Sequence, residues 1–382
     1  MLWALSRRTY FSMISVSSCR VIPVLFLLAM LLAESSGVVA CVHNDLTPVL
    51  HVFDGVAMGT TYTVRVVTAD SLDPSRRNRI RDRIQAVLED IESKMSHYRS
   101  TSELSRFNQT RAAVPFHVSP ETLDVVRQAN ELSEQTEGAL DITVGPLVSA
   151  WGFGPIEPET LPPSSSLLEQ IRTHVGYTKL EFDPIASTLR KTDPHLECDL
   201  SAVAKGYGVD RVAAALREEA LTRFMVEVGG EIVTVGLNRE GRPWRIAIER
   251  PVAAGGVQRV VSLSDQAMAT SGSYRNVRQV DGHWFSHTID PRTGRPVEHQ
   301  LASVSVIAPL CVVADGLATA LEVLGPEEGY RLAVKRGWAA LFLVRVSSGY
   351  IEELTTPAFE ALLTAAASVH HLNSDLRMGI AG

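Results

Sequence analysis

Asp315 and Thr319 stand four residues apart in the segment ADGLATA at 314–320. On a helix that spacing puts both oxygens on one face, where a carboxylate and a hydroxyl can share one hard cation. Six further clusters draw on Gly, Asp, Thr, Lys and Arg in dense groups and follow neither the helical nor the strand period. They are MGTT at 58–61, YRSTSELS at 98–105, GALDITVGP at 138–146, DLSAVAKGY at 199–207, ATSGSYRN at 269–276 and HTIDPRTG at 287–294. Such clusters suit a phosphate-bearing ligand, because glycine lets backbone N–H groups approach an anion while hydroxyl and cationic side chains complete the cradle. Singly, each has a plain structural reading as well. DPRTG at 290–294 fits a type I turn with proline at its second position. Asp315 can cap its helix while Thr319 bonds back to a carbonyl. Gly206 and Gly208 cost about 1 kcal/mol each inside a helix, which either close ligand approach or loop flexibility explains.

Regular elements must position these clusters. Tyr62, Val64 and Val66 alternate with polar residues as a half-buried strand entered through the Met58-Gly59 turn. Ile80, Ile84, Val87, Leu88, Ile91 and Met95 recur at helical spacing, and Ser119-Pro120-Glu121 opens a second helix that stops near Gly138. Strand-like runs at 224–228, 232–235, 244–249, 260–263, 303–307 and 340–346 alternate with helical stretches at about 203–219, 311–324 and 326–336. The mixed order predicts an α/β or α+β body. PIEPETLPPSSS at 155–166 predicts a surface excursion or a boundary between lobes. The Ala-rich end after Thr356 reads as an amphipathic or frayed helix that is dispensable for chemistry.

Composition narrows the function. The chain has 382 residues, 45% of them hydrophobic and 21% charged, with a formal net charge of -7. A general nucleic-acid binder is excluded, since the net charge opposes attraction to phosphate backbones. HExxH, CxxC, Walker A, GxSxG and EF-hand patterns are all absent, which removes the enzyme classes that depend on them. The length supports a full core without disulfides, and Cys198 and Cys311 read as small buried hydrophobes.

At the N-terminus, Arg7, Arg8 and Arg20 precede an apolar run at 21–33 and small residues ending Val38-Val39-Ala40-Cys41. The run would rise about 20 Å as a helix, short of a bilayer's hydrocarbon core. A removed signal peptide over 1–40 is therefore expected. The cysteine after Val-Val-Ala resembles the lipobox of bacterial lipoproteins, which makes Cys41 the expected lipidated residue and 41–50 a tether. The same reading puts the catalytic domain at 51–358 and a tail at 359–382. The protein is then expected on the periplasmic side of a bacterial membrane, the choice of inner or outer membrane remaining open.

Taken together and in order, the clusters, joined by VEVGGEI at 226–232, resemble the bacterial FAD:protein FMN transferases of the ApbE flavin transferase family, from about Met58 to Val346. The resemblance implies an α+β, T-fold-like body of mixed sheets and packed helices with the active site between two lobes. It implies Mg²⁺-dependent attack of a Thr or Ser hydroxyl on the FMN-side phosphorus of FAD, releasing AMP. FAD contacts carry over to Met58, Tyr98, Ala139, Leu140, Asp141, Asp199, Lys205 and Ile289, and Mg²⁺ contacts to Asp315, Thr319, Ala318 and the Ala202 carbonyl. His287, beside the Thr-Ile-Asp-Pro turn, is the candidate to accept the hydroxyl proton, imidazole titrating near neutral pH. The implied acceptors are extracytoplasmic electron-transport subunits of the quinone-reductase type carrying a Thr/Ser flavinylation motif. Two alternatives stay open: a Mg²⁺-dependent FAD pyrophosphatase, in which water replaces the protein hydroxyl, and an FAD-binding lipoprotein without chemistry.

Overall fold

Met58 and Gly59 both take positive φ, 52° and 72°. Two such residues form a tight hairpin turn that matches the twist of its strands. They join β1 (Val49–Ala57) to β2 (Thr60–Thr68). The computed structural model describes residues 47–110, 114–155, 158, 162–252, 255–273, 277–280, 282–346 and 350–364. The expected signal peptide, Cys41 and the tail beyond residue 364 lie outside the described residues, as do Tyr274, Arg275 and Asn276 of ATSGSYRN.

After β2 the chain forms α1 (Pro74–Met95), α2 (Glu103–Gln109), β3 (Phe116–His117), α3 (Pro120–Gln135), α4 (Gly145–Ala150) and α5 (Ser165–Arg172). It continues through β4 (Leu180–Asp183), β5 (Thr188–Lys191), α6 (Ala204–Glu218), β6 (Phe224–Val228), β7 (Glu231–Val235), β8 (Trp244–Glu249) and β9 (Val257–Leu263). Next come β10 (Gln266–Gly272), β11 (Val277–Val280), β12 (His283–Ser286), β13 (Ile289–Asp290), β14 (Arg295–Pro296) and β15 (Leu301–Ala308). The last elements are α7 (Cys311–Arg336), β16 (Ala339–Arg345) and β17 (Ile351–Thr355). Eight strands form the main sheet in the order β1-β2-β6-β7-β10-β15-β16-β17, every pair antiparallel. Sheet order therefore equals chain order, and the remaining elements are insertions between neighbouring strands.

Both faces of this sheet are covered. Ile80, Ile84 and Leu88 of α1 and Val209, Val212 and Leu216 of α6 pack on Val64, Val66, Phe224 and Val226. Leu317 and Leu321 of α7 pack with Val304, Val306, Ala340 and Phe342. On the opposite face, Met225, Met268, Leu341 and Leu343 meet the β8–β9 hairpin through Trp244, Ile246, Val261 and Leu263. The period-2 alternation of β6 and β16 splits their side chains between two cores. Phe359 is wholly buried in the same cluster as Trp244, with Leu362 and Leu363 packed against it. A helix over 357–364 thus runs across the point where the tail was expected to begin. Likewise β1 begins at Val49, inside the stretch expected as tether.

The caps follow the expected residue types. Asp73 accepts the N–H groups of Ser75 and Arg76 at the start of α1, and Ser119 caps α3. Glu103 ties α2 to α3 by accepting from Ser119 N and Oγ, both at 2.7 Å. α7 is two helices meeting at Gly325 (φ 76°) ahead of Pro326, as the expected segments 311–324 and 326–336 require. Cys198 and Cys311 are free thiols and buried. Among the described residues no helix is long and apolar enough to cross a membrane.

Candidate active site

α6 and α7 cross where Gly206 leaves no room: a Cβ there would lie 2.4 Å from the Cys311 carbonyl oxygen and 2.8 Å from Asp315 Cβ. Close helix contact, rather than ligand approach or loop flexibility, is what this glycine provides. Its N–H donates to Asp315 Oδ2 at 2.9 Å. One turn further along α6, the Asp210 carboxylate accepts the free N–H groups of Cys311 and Val312 at 3.0 and 2.9 Å. Asp210, not Asp315, therefore caps α7. Burial pushes the Asp210 carboxyl up to about 6, against the two backbone hydrogen bonds.

Freed from capping, Asp315 lies on the wall of a cavity of about 1140 Å³. Tyr98, Ala139, Leu140, Asp141, Asp199, Ala202, Lys205, His287, Ile289 and Thr319 line the same cavity. Eleven of the thirteen candidate residues outside the N-terminal segment are thereby brought to one space. Met58 and Ala318 do not line it: Met58 packs its sulfur against Gly208, and Ala318 is buried in the α7 core.

Charge is concentrated on the sheet side. The Lys205 ammonium is 2.9 Å from Glu231 Oε1 and 3.6 Å from Asp315 Oδ1. Burial works against this ammonium, but Asp315 and Glu231 outweigh it and hold its pKa above the usual lysine value. Burial also drives both carboxylates upward, with Lys205 opposing. Thr319 Oγ1 meets Ser271 Oγ of β10 at 3.2 Å.

The other walls are held by the motifs' own hydrogen bonds. Asn108, the last residue of SELSRFN, grips both the N–H and the carbonyl of Cys198 at 2.8 Å, fixing the approach to Asp199. Asp199 N–H donates to the Ile142 carbonyl, which joins DLSAVAKGY to GALDITVGP. The Asp141 carboxylate is occupied internally, accepting from Thr143 N, Thr143 Oγ1 and Tyr177 N at 2.8, 2.6 and 2.8 Å. Burial raises its pKa nonetheless. Burial also works to raise Asp199, but His97, 3.2 Å away, and Ser201 outweigh it and keep it below the usual carboxylate range. Tyr98 is 62% exposed, which rules out a core role. Its hydroxyl donates to the Phe153 carbonyl at 2.8 Å and its ring lies 4.0 Å from that of His97. His287 sits edge-on to Phe153, and Trp151 Nε1 donates to the Gly294 carbonyl, anchoring the turn that follows.

Glu231, Ser271, Thr270 and Arg278 also line the cavity; the first three fall within VEVGGEI and ATSGSYRN but were given no individual role from sequence, and Arg278 falls in no motif. For Glu231 the signal was present, since an acid directly after Gly229-Gly230 at the mouth of a strand has no packing reason to be there. Among the described residues, no three His, Cys, Asp or Glu side chains gather as a metal cluster.

The chain is similar to known proteins over most of its length. A model of the ApbE family matches residues 58–342. The FAD:protein FMN transferase of Vibrio cholerae is 44% identical over 311 residues, covering 81% of this chain and 92% of that protein. That of Haemophilus influenzae is 41% identical over 313 residues, with 81% and 90% covered. Among solved structures, the flavin transferase ApbE from Vibrio cholerae superposes with a TM-score of 0.74 at 42% identity, covering 82% of this chain and 99% of that one. Apo Pseudomonas stutzeri flavinyl transferase ApbE gives 0.75 at 37% identity, with 83% and 97% covered.

Proposed function

The chain belongs to the ApbE family and is an FAD:protein FMN transferase, and from that premise we propose that it moves FMN from FAD to a Thr or Ser hydroxyl of an extracytoplasmic acceptor, with Mg²⁺ and with release of AMP. One observation carries the reading: a buried carboxylate, Asp315, lies on the cavity wall with one oxygen on a backbone N–H and the other no closer than 3.6 Å to a cation. An anionic oxygen so placed suits a divalent ion, and a single carboxylate suffices where substrate phosphate supplies further oxygens. Asp315, Thr319 and the Ala202 carbonyl would hold Mg²⁺, which neutralises charge on the diphosphate and on the departing AMP phosphate.

The chain's own side chains do the rest. Tyr98 offers its exposed face to an aromatic ring of FAD, and Lys205 offers its ammonium to the diphosphate. His287 accepts the proton of the attacking hydroxyl as the Oγ–P bond forms and the P–O bond to AMP breaks. The acceptors are proposed to be quinone-reductase-type electron-transport subunits with a Thr/Ser flavinylation motif. The enzyme itself would be lipid-anchored through Cys41 on the periplasmic side of its membrane.

The test is to incubate the protein with FAD, Mg²⁺ and a candidate acceptor subunit, reading the acceptor's intact mass and the AMP released. A gain of one FMN, abolished in Asp315→Ala, is expected. Free FMN with AMP but no labelling would mean pyrophosphatase activity, and unchanged FAD would mean binding alone.

A further inference from the structure

Glu231 opens β7 directly after Gly229 and Gly230, whose φ angles are 62° and 106°. Gly229 packs so tightly that a Cβ would stand 2.8 Å from Thr60 Cγ2 and 3.4 Å from Lys205 Cδ. Turn, carboxylate and lysine stem therefore form one packed unit. Glu231 is only 3% exposed, its Oε1 lies 2.9 Å from the Lys205 ammonium, and its Oε2 has no hydrogen-bond partner. A half-satisfied buried carboxylate is costly, and a buried ion pair adds little to stability compared with apolar side chains of the same volume. Stability does not account for the pair, so its placement must.

Lys205 has two carboxylates within reach, and the nearer is Glu231. The lysine stem is four flexible carbons. Without the charge on Glu231 the ammonium would close onto Asp315, blocking that carboxylate. We propose that Glu231 is a positioning residue for Lys205, holding the ammonium off Asp315 and at the cavity wall where the diphosphate arrives. This rests on the reading of FAD as substrate.

A double-mutant cycle of Glu231→Gln, Lys205→Met and the pair tests it, with kcat, the KM for FAD, flavin-fluorescence binding of FAD without metal, and thermal melting measured on each. Glu231→Gln is expected to lower kcat about tenfold, a loss of about 1.4 kcal/mol in transition-state stabilisation, with a smaller change in KM. In the Lys205→Met background the same change should have no further effect on kcat or FAD affinity, and the double variant should melt no lower than Lys205→Met alone. A wild-type kcat in Glu231→Gln, or an undiminished effect in the Lys205→Met background, overturns the proposal. If Glu231→Gln alone does not fold, the comparison of Lys205→Met with the double variant decides it. If the wild-type protein binds FAD but transfers nothing, the functional reading falls while the cycle is still read on FAD affinity.

Discussion

Replacing Gly206 by Ala sets two opposed effects against each other at the α6–α7 crossing. Helix propensity alone favours alanine by about 1 kcal/mol. Against it, the added methyl would stand 2.4 Å from the Cys311 carbonyl oxygen and 2.7 Å from its carbon, both backbone atoms that cannot swing aside. Restoring ordinary contact takes a displacement of about 1 Å, and overpacking of this kind costs about 1–3 kcal/mol. The same displacement stretches the 2.9 Å bond from Gly206 N–H to Asp315, a charged hydrogen bond worth about 1.5–3 kcal/mol. The net destabilisation is then about 2–5 kcal/mol, or a fall in melting temperature of about 4–10 °C for a body of this size. Flavin transfer should fall further than stability, because Asp315 loses its fixed orientation. Gly208→Ala is the control, since its nearest neighbour is a side-chain atom, the Met58 Sδ at 3.0 Å, rather than backbone, and it should change stability by less than about 1 kcal/mol. Thermal melts and AMP-release rates on the two variants make the comparison. A Gly206→Ala protein that melts at or above wild type with undiminished transfer would refute the argument that the crossing places Asp315.

Burial lifts the Glu322 carboxyl to about 8, with Ser273 and Arg345 opposing it only weakly. The folded state therefore binds this proton more tightly than the unfolded chain, and stability should fall as pH rises from about 4.5 to about 8, by at most about 5 kcal/mol. Glu322→Gln should flatten that slope in urea unfolding measured at pH 5.5 and 8.5, and an equal slope in both proteins would count against it. Phe359→Ala should cost about 3–5 kcal/mol in urea unfolding, as expected for a buried aromatic, whereas a dispensable tail would show no change. His287→Asn should lower kcat about a hundredfold with little change in the KM for FAD, and a wild-type kcat would remove the proton-accepting role.

Much of the scaffold was legible because its signals are local. Ile80, Ile84, Leu88, Ile91 and Met95 are all buried on α1, and Ser119 caps α3 as its type and the following proline suggest. β1 was not legible, because His51 and Asp54 interrupt its apolar pattern and its pairing with β2 is set by the Met58-Gly59 turn. β10 was hidden for another reason: its residues were read only as a ligand-binding cluster, although Ala267, Met268 and Ala269 are buried between β7 and β15. Asp315 and Thr319 were legible as a pair from spacing. Their surroundings were not, because Asp210, Gly206 and Glu231 lie at least 84 positions away in sequence and meet them only through the crossing of α6 with α7 and the β6–β7 turn.

The agreement between sheet order and chain order bears on how such an enzyme can change. Every segment inserted between consecutive main-sheet strands leaves and re-enters at neighbouring edges, its two ends about 5 Å apart across the hydrogen-bonding direction. The stretch between β10 and β15, which carries Arg278, His287 and Ile289, can thus vary in length at its exposed turns while the register on either side stays put. Lengthening such a loop adds only slowly to closure entropy, about 0.6 kcal/mol for each doubling. Loop length there can therefore drift, while Asp315 and Lys205 remain on the unaltered frame.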